Sequence, residues 1–365
     1  MTVSPIPQFE PWFGNEEKEA LADYMESGGW VTEFARTTEF EDSLAKYTNA
    51  KHCVVVNNGT ISLTLAALVC DLGPGDEVIV PNYTMVATPN SVKLIGAKPV
   101  FVDVERDTLC LDIDLVTRAI TNKTKAIILV SANGRYAKNE VAQFEDLCAK
   151  RNLFLIEDAA QALGSFYPDG RHIGTVGIAG TFSFSTPKII STGQGGAIVT
   201  NDDLVAKKLR LLKDFGRAKG GIDIHETVGY NFKFTDIQAV IGLAQLKKLN
   251  YRIKRKKEIY KQYREKLKDI ENVQLFYQDC EHTTPWFIDA VVDQRDELSQ
   301  YLKANDIGTR LMYPPINTQP AYAVGGNYPV SEIIGSKGLW LPSSNQITKD
   351  QIDFVCSTIR NFYIG

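Results

Sequence analysis

Among the residues able to do covalent chemistry, one lysine is in unusual company. Lys188 lies in GTFSFSTPKIISTGQGGAIVTND (180–202), between an alternating, strand-like run and a cluster of glycines. Its neighbours are apolar, hydroxylated or glycine, which predicts an amine held away from water. Burial disfavours the ammonium form, so such a lysine sheds its proton more readily and becomes a nucleophile. Asp158 is the matching acid. It sits in LFLIEDAAQALGS (153–165), at the carboxyl end of an apolar run, where open α/β sheets place their ligands. A carboxylate buried there needs a cation or several donors. A protonated pyridine nitrogen is one such partner and a structural arginine is the other. Gln161 is placed to add a hydrogen bond to the same ligand.

Two further stretches complete the set. In VVVNNGTISLTLAAL (54–68) a strand ends, Gly59 and Thr60 turn the chain, and a helix begins. The free amides and the dipole of a helix start attract phosphate, although Thr60 acting as an ordinary helix cap accounts for the pattern equally well. Ser183 precedes Lys188 by five residues as a second phosphate ligand, or as a hydroxyl satisfying local backbone. The following GQGG lets the chain fold closely around whatever the lysine holds. In VGYNFKFTDIQAVIGLAQL (228–246), Asn231 and Lys233 stand before a helix capped near Thr235. A phosphate cup, an acid for a ring nitrogen and an amine able to condense with an aldehyde are the parts that pyridoxal 5'-phosphate (PLP) requires. The predicted catalytic residue is Lys188, which first holds the aldehyde and later shuttles a proton.

The elements that must position these residues alternate. Candidate strands are 53–58, 77–81, 98–104, 125–130, 154–158, 180–185 and 196–201, with helical patterns between them such as 61–72 and 140–152. Val- and Ile-rich strands alternating with helices predict an α/β fold with a mostly parallel sheet covered on both faces. From about Thr235 to Leu267 the pattern reads as one long helix linking a large domain (1–245) to a smaller C-terminal α+β domain (246–365). Helices at 295–307 and 348–363 follow. The basic RIKRKK (252–257) within the long helix is read as a solvated face rather than a nucleic-acid contact, because acidic and aromatic residues interleave just beyond it.

At these motifs the chain resembles the nucleotide-sugar aminotransferases of the DegT/StrS type, a fold-type I PLP family. The likeness also takes in SGGWVTEFARTTEFE, GPGDEVIVP and GQGGAIVTND, and covers nearly the whole length. It implies that Lys188 carries PLP, that Asp158 faces the pyridine nitrogen and that Gln161 lies near the cofactor hydroxyl. Gly59, Thr60 and Ser183 would bind the phosphate, with Met85 where the family stacks an aromatic ring on PLP; Tyr83 is a possible substitute. Asn231 would reach the phosphate of a second subunit, implying a homodimer with shared active sites. The nearest branch forms perosamine- or viosamine-type sugars for polysaccharide biosynthesis, aminating C4 of a nucleotide-linked 4-keto-6-deoxyhexose with glutamate as donor. Trp30, Thr32, Arg310, Tyr313 and Asn317 are the implied sugar-site residues. Trp30 has core packing as its alternative and Arg310 a structural ion pair. His225 and Lys219 would face the nucleotide, or simply lie in an exposed loop. The chain departs from the family pattern at SANGRYAKNE (131–140), at Gln194, at Phe34, where a glycine is usual, and at Asn317, where a histidine is usual. Two other readings are a PLP-binding scaffold without turnover and a 3-keto-sugar aminotransferase. A sugar dehydratase of the family would carry histidine in place of Lys188.

Bulk properties exclude other classes. The 365 residues carry a formal charge of −4, without the basic excess of a nucleic-acid-binding protein. No apolar run reaches the roughly 18 residues of a membrane span, and the N-terminus lacks the pattern of a signal peptide. The six scattered cysteines contain no C-x-x-C pair, which predicts packing residues in a cytoplasmic protein with no metal site. The N-x-T matches at Asn58 and Asn122 then carry no glycan.

Overall fold

The Val- and Ile-rich runs form a twisted central sheet because both of their faces can be buried. In the computed structural model, which describes residues 5–138, 141–218 and 221–365, the chain begins with α1 (Asn15–Glu26) and α2 (Ala35–Thr48). It continues through β1 (His52–Val56), α3 (Gly59–Val69), β2 (Glu77–Pro81), α4 (Ala87–Leu94), β3 (Lys98–Val102) and α5 (Ile113–Ala119). β4 (Thr124–Val130), α6 (Val141–Arg151), β5 (Phe154–Asp158), β6 (Ala179–Ser183), β7 (Gly196–Thr200) and α7 (Asp203–Lys213) follow. The strands form a seven-stranded sheet in the order β1-β7-β6-β5-β4-β2-β3. From β6 to β3 neighbours run parallel; β7 is antiparallel to both β6 and β1. The strands lie within two residues of the predicted boundaries.

Alternate residues of each strand enter two separate cores. Cys53, Val55, Ile79, Ile127 and Leu129 join one with Phe40 of α2 and Phe144 of α6. Val54, Val56, Val78, Val80, Ala126 and Ile128 join the other with α3 and α7. This division explains why the runs are almost continuously apolar instead of alternating with polar residues.

The remainder of the chain is α8 (Asp236–Lys247), α9 (Leu249–Leu267), β8 (Val273–Leu275), β9 (Ile288–Val292), α10 (Arg295–Ala304), β10 (Arg310–Leu311), α11 (Pro329–Lys337), β11 (Gly338–Leu341) and α12 (Lys349–Ile364). Its four strands form an antiparallel sheet, β10-β11-β9-β8, over a third core built with α9, α10 and α12. Ile6 from the N-terminus also packs in this core, bridged to Ile307.

The predicted long helix divides in two at Lys248. There the amide of Lys248 bonds to the Gln245 carbonyl at 3.0 Å, tightening the turn, while its side chain is held by Glu16 and Glu17 of α1. The basic run beyond it is not a solvated face either. Arg252 and Lys256 are buried, and only Lys254 of the six residues is exposed. All six cysteines are free, five of them buried.

Candidate active site

β5 ends with two adjacent acids that point to opposite faces of the sheet. Glu157 is fully enclosed and accepts hydrogen bonds from the amides of Gly174, Val176 and Gly177 and from the Tyr167 hydroxyl. Its role is to pin the 174–177 loop. Asp158 is buried too, yet its oxygens have fewer donors: the Thr88 hydroxyl at 2.7 Å and the Ala160 amide at 3.2 Å. Burial pushes its carboxyl above the ordinary range, opposed by those two hydrogen bonds and by the charge of Lys188. No arginine pairs with it among the described residues, which disposes of the structural-arginine alternative. Thr88 is supplied by α4, 70 residues away in sequence, and no local pattern announced it.

Lys188 follows β6 in a turn closed by its own amide on the Ser185 carbonyl at 2.9 Å. Its amine stands 4.3 Å from the centre of the Trp286 ring. Burial lowers its pKa to about 8; the Asp158 carboxylate opposes that shift and the Arg310 guanidinium reinforces it. The two neighbours thus perturb each other in the direction expected of an amine and an acid sharing one secluded space.

The start of α3 lies against the end of β6. Asn58 is the cap, its side chain accepting the Ile61 amide at 2.9 Å; Thr60 is therefore not the cap, but the second helical residue. The amides of Gly59 and Thr60 take no partner among the described residues, as expected for a helix start. A Cβ on Gly59 would meet the Ser183 Cβ at 2.8 Å and its Oγ at 3.0 Å, so only glycine brings the helix this close to that serine. Gly196 is equally constrained, facing the Asn58 carbonyl and the Ser62 hydroxyl. Free amides, a helix dipole and the Ser183 hydroxyl make a cup for a phosphate. With a buried acid and a deprotonation-prone amine beside it, these residues fit PLP.

The other predicted residues fall into three groups. Gln161, Tyr83 and Tyr313 line one small cavity with Asn133, Asp289 and Trp340. The Gln161 side-chain oxygen accepts the Asn133 amide at 2.6 Å, and Asn133, at φ 54°, also exchanges side-chain bonds with the backbone of Phe287. Arg310 lies against the rings of Tyr313 and Trp340 and has no carboxylate partner among the described residues, so the ion-pair alternative fails. Burial raises the Tyr313 hydroxyl to about 12.

A second group is exposed. Trp30 is 66% exposed, which excludes core packing, and its indole N–H donates to the Thr32 hydroxyl at 2.5 Å. Phe34 packs near it. Met85 is 44% exposed at the approach to α4, its sulfur accepting the Ala87 amide. Asn231 is exposed and bridged to Asp214; no contact among the described residues brings its side chain to Lys188. His225 is exposed with its Nδ1 2.7 Å from the Phe215 carbonyl, and Lys219 lies outside the described residues. In the third group is Asn317. It is locked in a reciprocal pair with buried Asn82, whose amide donates at 2.8 Å and whose oxygen accepts the Asn317 N–H at 3.0 Å. Gln194 meets α8 through its carbonyl, which accepts from Gln238.

Residues 12–360 match the model of the DegT/DnrJ/EryC1/StrS aminotransferase family. The chain is 36% identical to GDP-perosamine synthase of Escherichia coli O157:H7 over 98% of each chain, and 35% identical to that of Vibrio cholerae over 98% of this chain and 99% of the other. Among solved structures, S. venezuelae DesV superposes with a TM-score of 0.92 at 31% identity over the whole of both chains. An aminotransferase from Brucella abortus does so with a TM-score of 0.90 at 30% identity, over 96% of each. The chain belongs to the DegT/DnrJ/EryC1/StrS family and is a PLP-dependent aminotransferase.

Proposed function

We propose that this aminotransferase moves the amino group of glutamate to C4 of a GDP-linked 4-keto-6-deoxyhexose, giving a perosamine-type sugar for glycan assembly. Full-length similarity to three GDP-perosamine synthases at 34–36% identity supports that substrate. The observation that carries the reading is local: the buried amine of Lys188 and the buried acid Asp158, which has no cationic side chain bonded to it, feel each other's charge beside a helix start whose first amides are free among the described residues.

Bound PLP supplies an aldehyde for amine capture and a ring that accepts electrons from the carbon losing its proton. The protein's own groups do the rest. Asp158 would face the ring nitrogen and keep it protonated, held in place by its 2.7 Å bond from Thr88. The Gly59 and Thr60 amides and the Ser183 hydroxyl hold the phosphate. Lys188 would hold the cofactor through its amine and, when that amine is free, would move a proton at the α-carbon of glutamate and again at the sugar. Gln161 steadies the ring hydroxyl. Arg310 receives an anionic group, the glutamate carboxylate or the sugar diphosphate, with bidentate geometry available to it. Met85 would pack on the cofactor ring, and Trp30, Thr32, Tyr313 and Asn317 would meet the sugar.

Two copies form the working unit in this reading, with Asn231 serving the partner's phosphate. Its exposure, and the exposed apolar group of Trp30, Val31 and Phe34, support that arrangement. The functional domains are 1–245 and 246–365, and the setting is the cytoplasm. No helix among the described residues is long and apolar enough to cross a membrane.

The test is incubation with glutamate and GDP-, dTDP- or UDP-linked 4-keto-6-deoxyhexoses, with products read by mass spectrometry and the amine located by NMR. An amine at C4 of the GDP sugar is expected. Amination only of another nucleotide's sugar, or at C3, would overturn the assignment.

A further inference from the structure

The two carbonyls that flank Lys188 are both gripped by side chains from the C-terminal third of the chain. The indole N–H of Trp286 donates to the Pro187 carbonyl at 2.7 Å, while the face of the same ring lies under the Lys188 amine at 4.3 Å. On the other side, Arg252 of α9 donates to the Ile189 carbonyl at 2.8 Å. Arg252 is itself fixed by the Gln245 side chain at 2.6 Å and by the Trp12 carbonyl at 2.8 Å. Trp286 is secured from behind by Lys256, one turn along α9, which donates to the Trp286 carbonyl at 2.8 Å and to the Ser343 carbonyl. Trp286, Arg252 and Lys256 are all buried.

From this arrangement we propose that Trp286 and Arg252 are positioning residues that clamp the peptide on both sides of Lys188, with Lys256 bracing Trp286. The assembly aims the amine and walls it off from water. It rests on Lys188 being the reactive amine.

Several facts point the same way. Lys256 forms no ion pair among the described residues, and burial together with the charge of Arg252 lowers its pKa to about 7. A buried lysine without a counter-ion is costly. Its two carbonyl acceptors are thus its reason for being there, and one of them belongs to Trp286. Two cations of the basic run 252–257 are explained by the same geometry: a spacing of four places Arg252 and Lys256 on one side of α9, where Arg252 meets the lysine loop and Lys256 meets Trp286. Trp286 also stacks on Phe287 at 3.9 Å and meets Trp340 edge-on, so its ring has little freedom.

The clamp can be tested on the full-length protein before it is loaded with cofactor, independently of any sugar. Trace labelling with acetic anhydride from pH 6 to 11, read by peptide mass spectrometry, gives the titration of Lys188, with exposed Lys254 as the internal control. The wild type is expected to titrate at about 8. Trp286→Leu removes ring and N–H together, admits water, and should move the midpoint upward by about one unit or more. Trp286→Phe keeps a ring but lacks the N–H. It should leave the midpoint near the wild-type value, while the single-turnover rate of the loaded enzyme with glutamate alone, which needs no sugar, falls roughly tenfold or more at unchanged glutamate affinity, as expected of a misaimed amine. A Phe variant with the wild-type glutamate half-reaction rate overturns the clamp, as does a folded Leu variant with an unmoved midpoint. If the Leu variant fails to fold, the Phe variant decides alone. Because the labelling needs no substrate, a wrong sugar assignment would leave it untouched.

Discussion

At the scale of residues, Lys188 and Asp158 are each driven toward neutrality by burial, and each is partly restored by the other's charge. Thr88→Val deletes the 2.7 Å bond to Asp158. Losing one hydrogen bond to a charged group costs about 1.5 kcal/mol, so kcat is expected to fall about tenfold. Steady-state kinetics with glutamate check this, and an unchanged kcat would remove Thr88 from the mechanism. Replacement of Lys188 by Ala should reduce turnover by several orders of magnitude while the far-ultraviolet circular dichroism stays that of the wild type. The burial of both residues was legible in sequence, because each follows its own strand end in a local setting of apolar, hydroxylated or glycine neighbours. Thr88 and Trp286 were not. They meet the site across gaps of 70 and roughly 100 residues, and neither carries a local pattern that distinguishes it from an ordinary core residue.

At the scale of elements, the start of α3 and the start of α2 are each built around one irreplaceable group. Gly59→Ala would push a methyl to within 2.8 Å of Ser183. The helix start must then withdraw from the phosphate cup, and PLP affinity should drop tenfold or more, measured by absorbance titration. Wild-type affinity would show that the cup lies elsewhere. Asp236, the first residue of α8, accepts the amides of Phe34, Arg36 and Thr37 and the hydroxyls of Thr37 and Tyr24. Burial alone would raise its pKa, but these hydrogen bonds outweigh burial and hold it below the ordinary value. A carboxyl depressed in the folded state stabilises the protein above its unfolded pKa, and that contribution is lost as the pH falls through the folded value. Asp236→Asn should therefore cost about 2 kcal/mol at neutral pH and show a smaller loss on acidification to pH 3. Denaturant melts at the two pH values check it, and equal losses would contradict it. The strand–helix alternation was readable because two cores impose a simple period on the strands. The break at Lys248 and the buried Arg252 and Lys256 escaped reading, since charge suggests solvent and only the tertiary partners say otherwise.

At the scale of the whole molecule, the parallel sheet delivers Asp158 and Ser183 at its strand ends, and the antiparallel sheet brings Arg310, Tyr313 and Trp340 to the same region. Trp30 and Phe34 form an exposed apolar group, and Asn231 is exposed as well; these are the surfaces that the proposed dimer would cover. If the proposed dimer uses this surface, Phe34→Glu should shift sedimentation toward the monomer and lower activity with it; unchanged sedimentation would place any interface elsewhere. The most direct test of the central claim uses the loaded protein. Borohydride treatment followed by digestion and mass spectrometry should find the cofactor fixed to the peptide carrying Lys188, and prior addition of glutamate should prevent that fixation. Cofactor fixed to another lysine, or fixation indifferent to glutamate, would contradict the account.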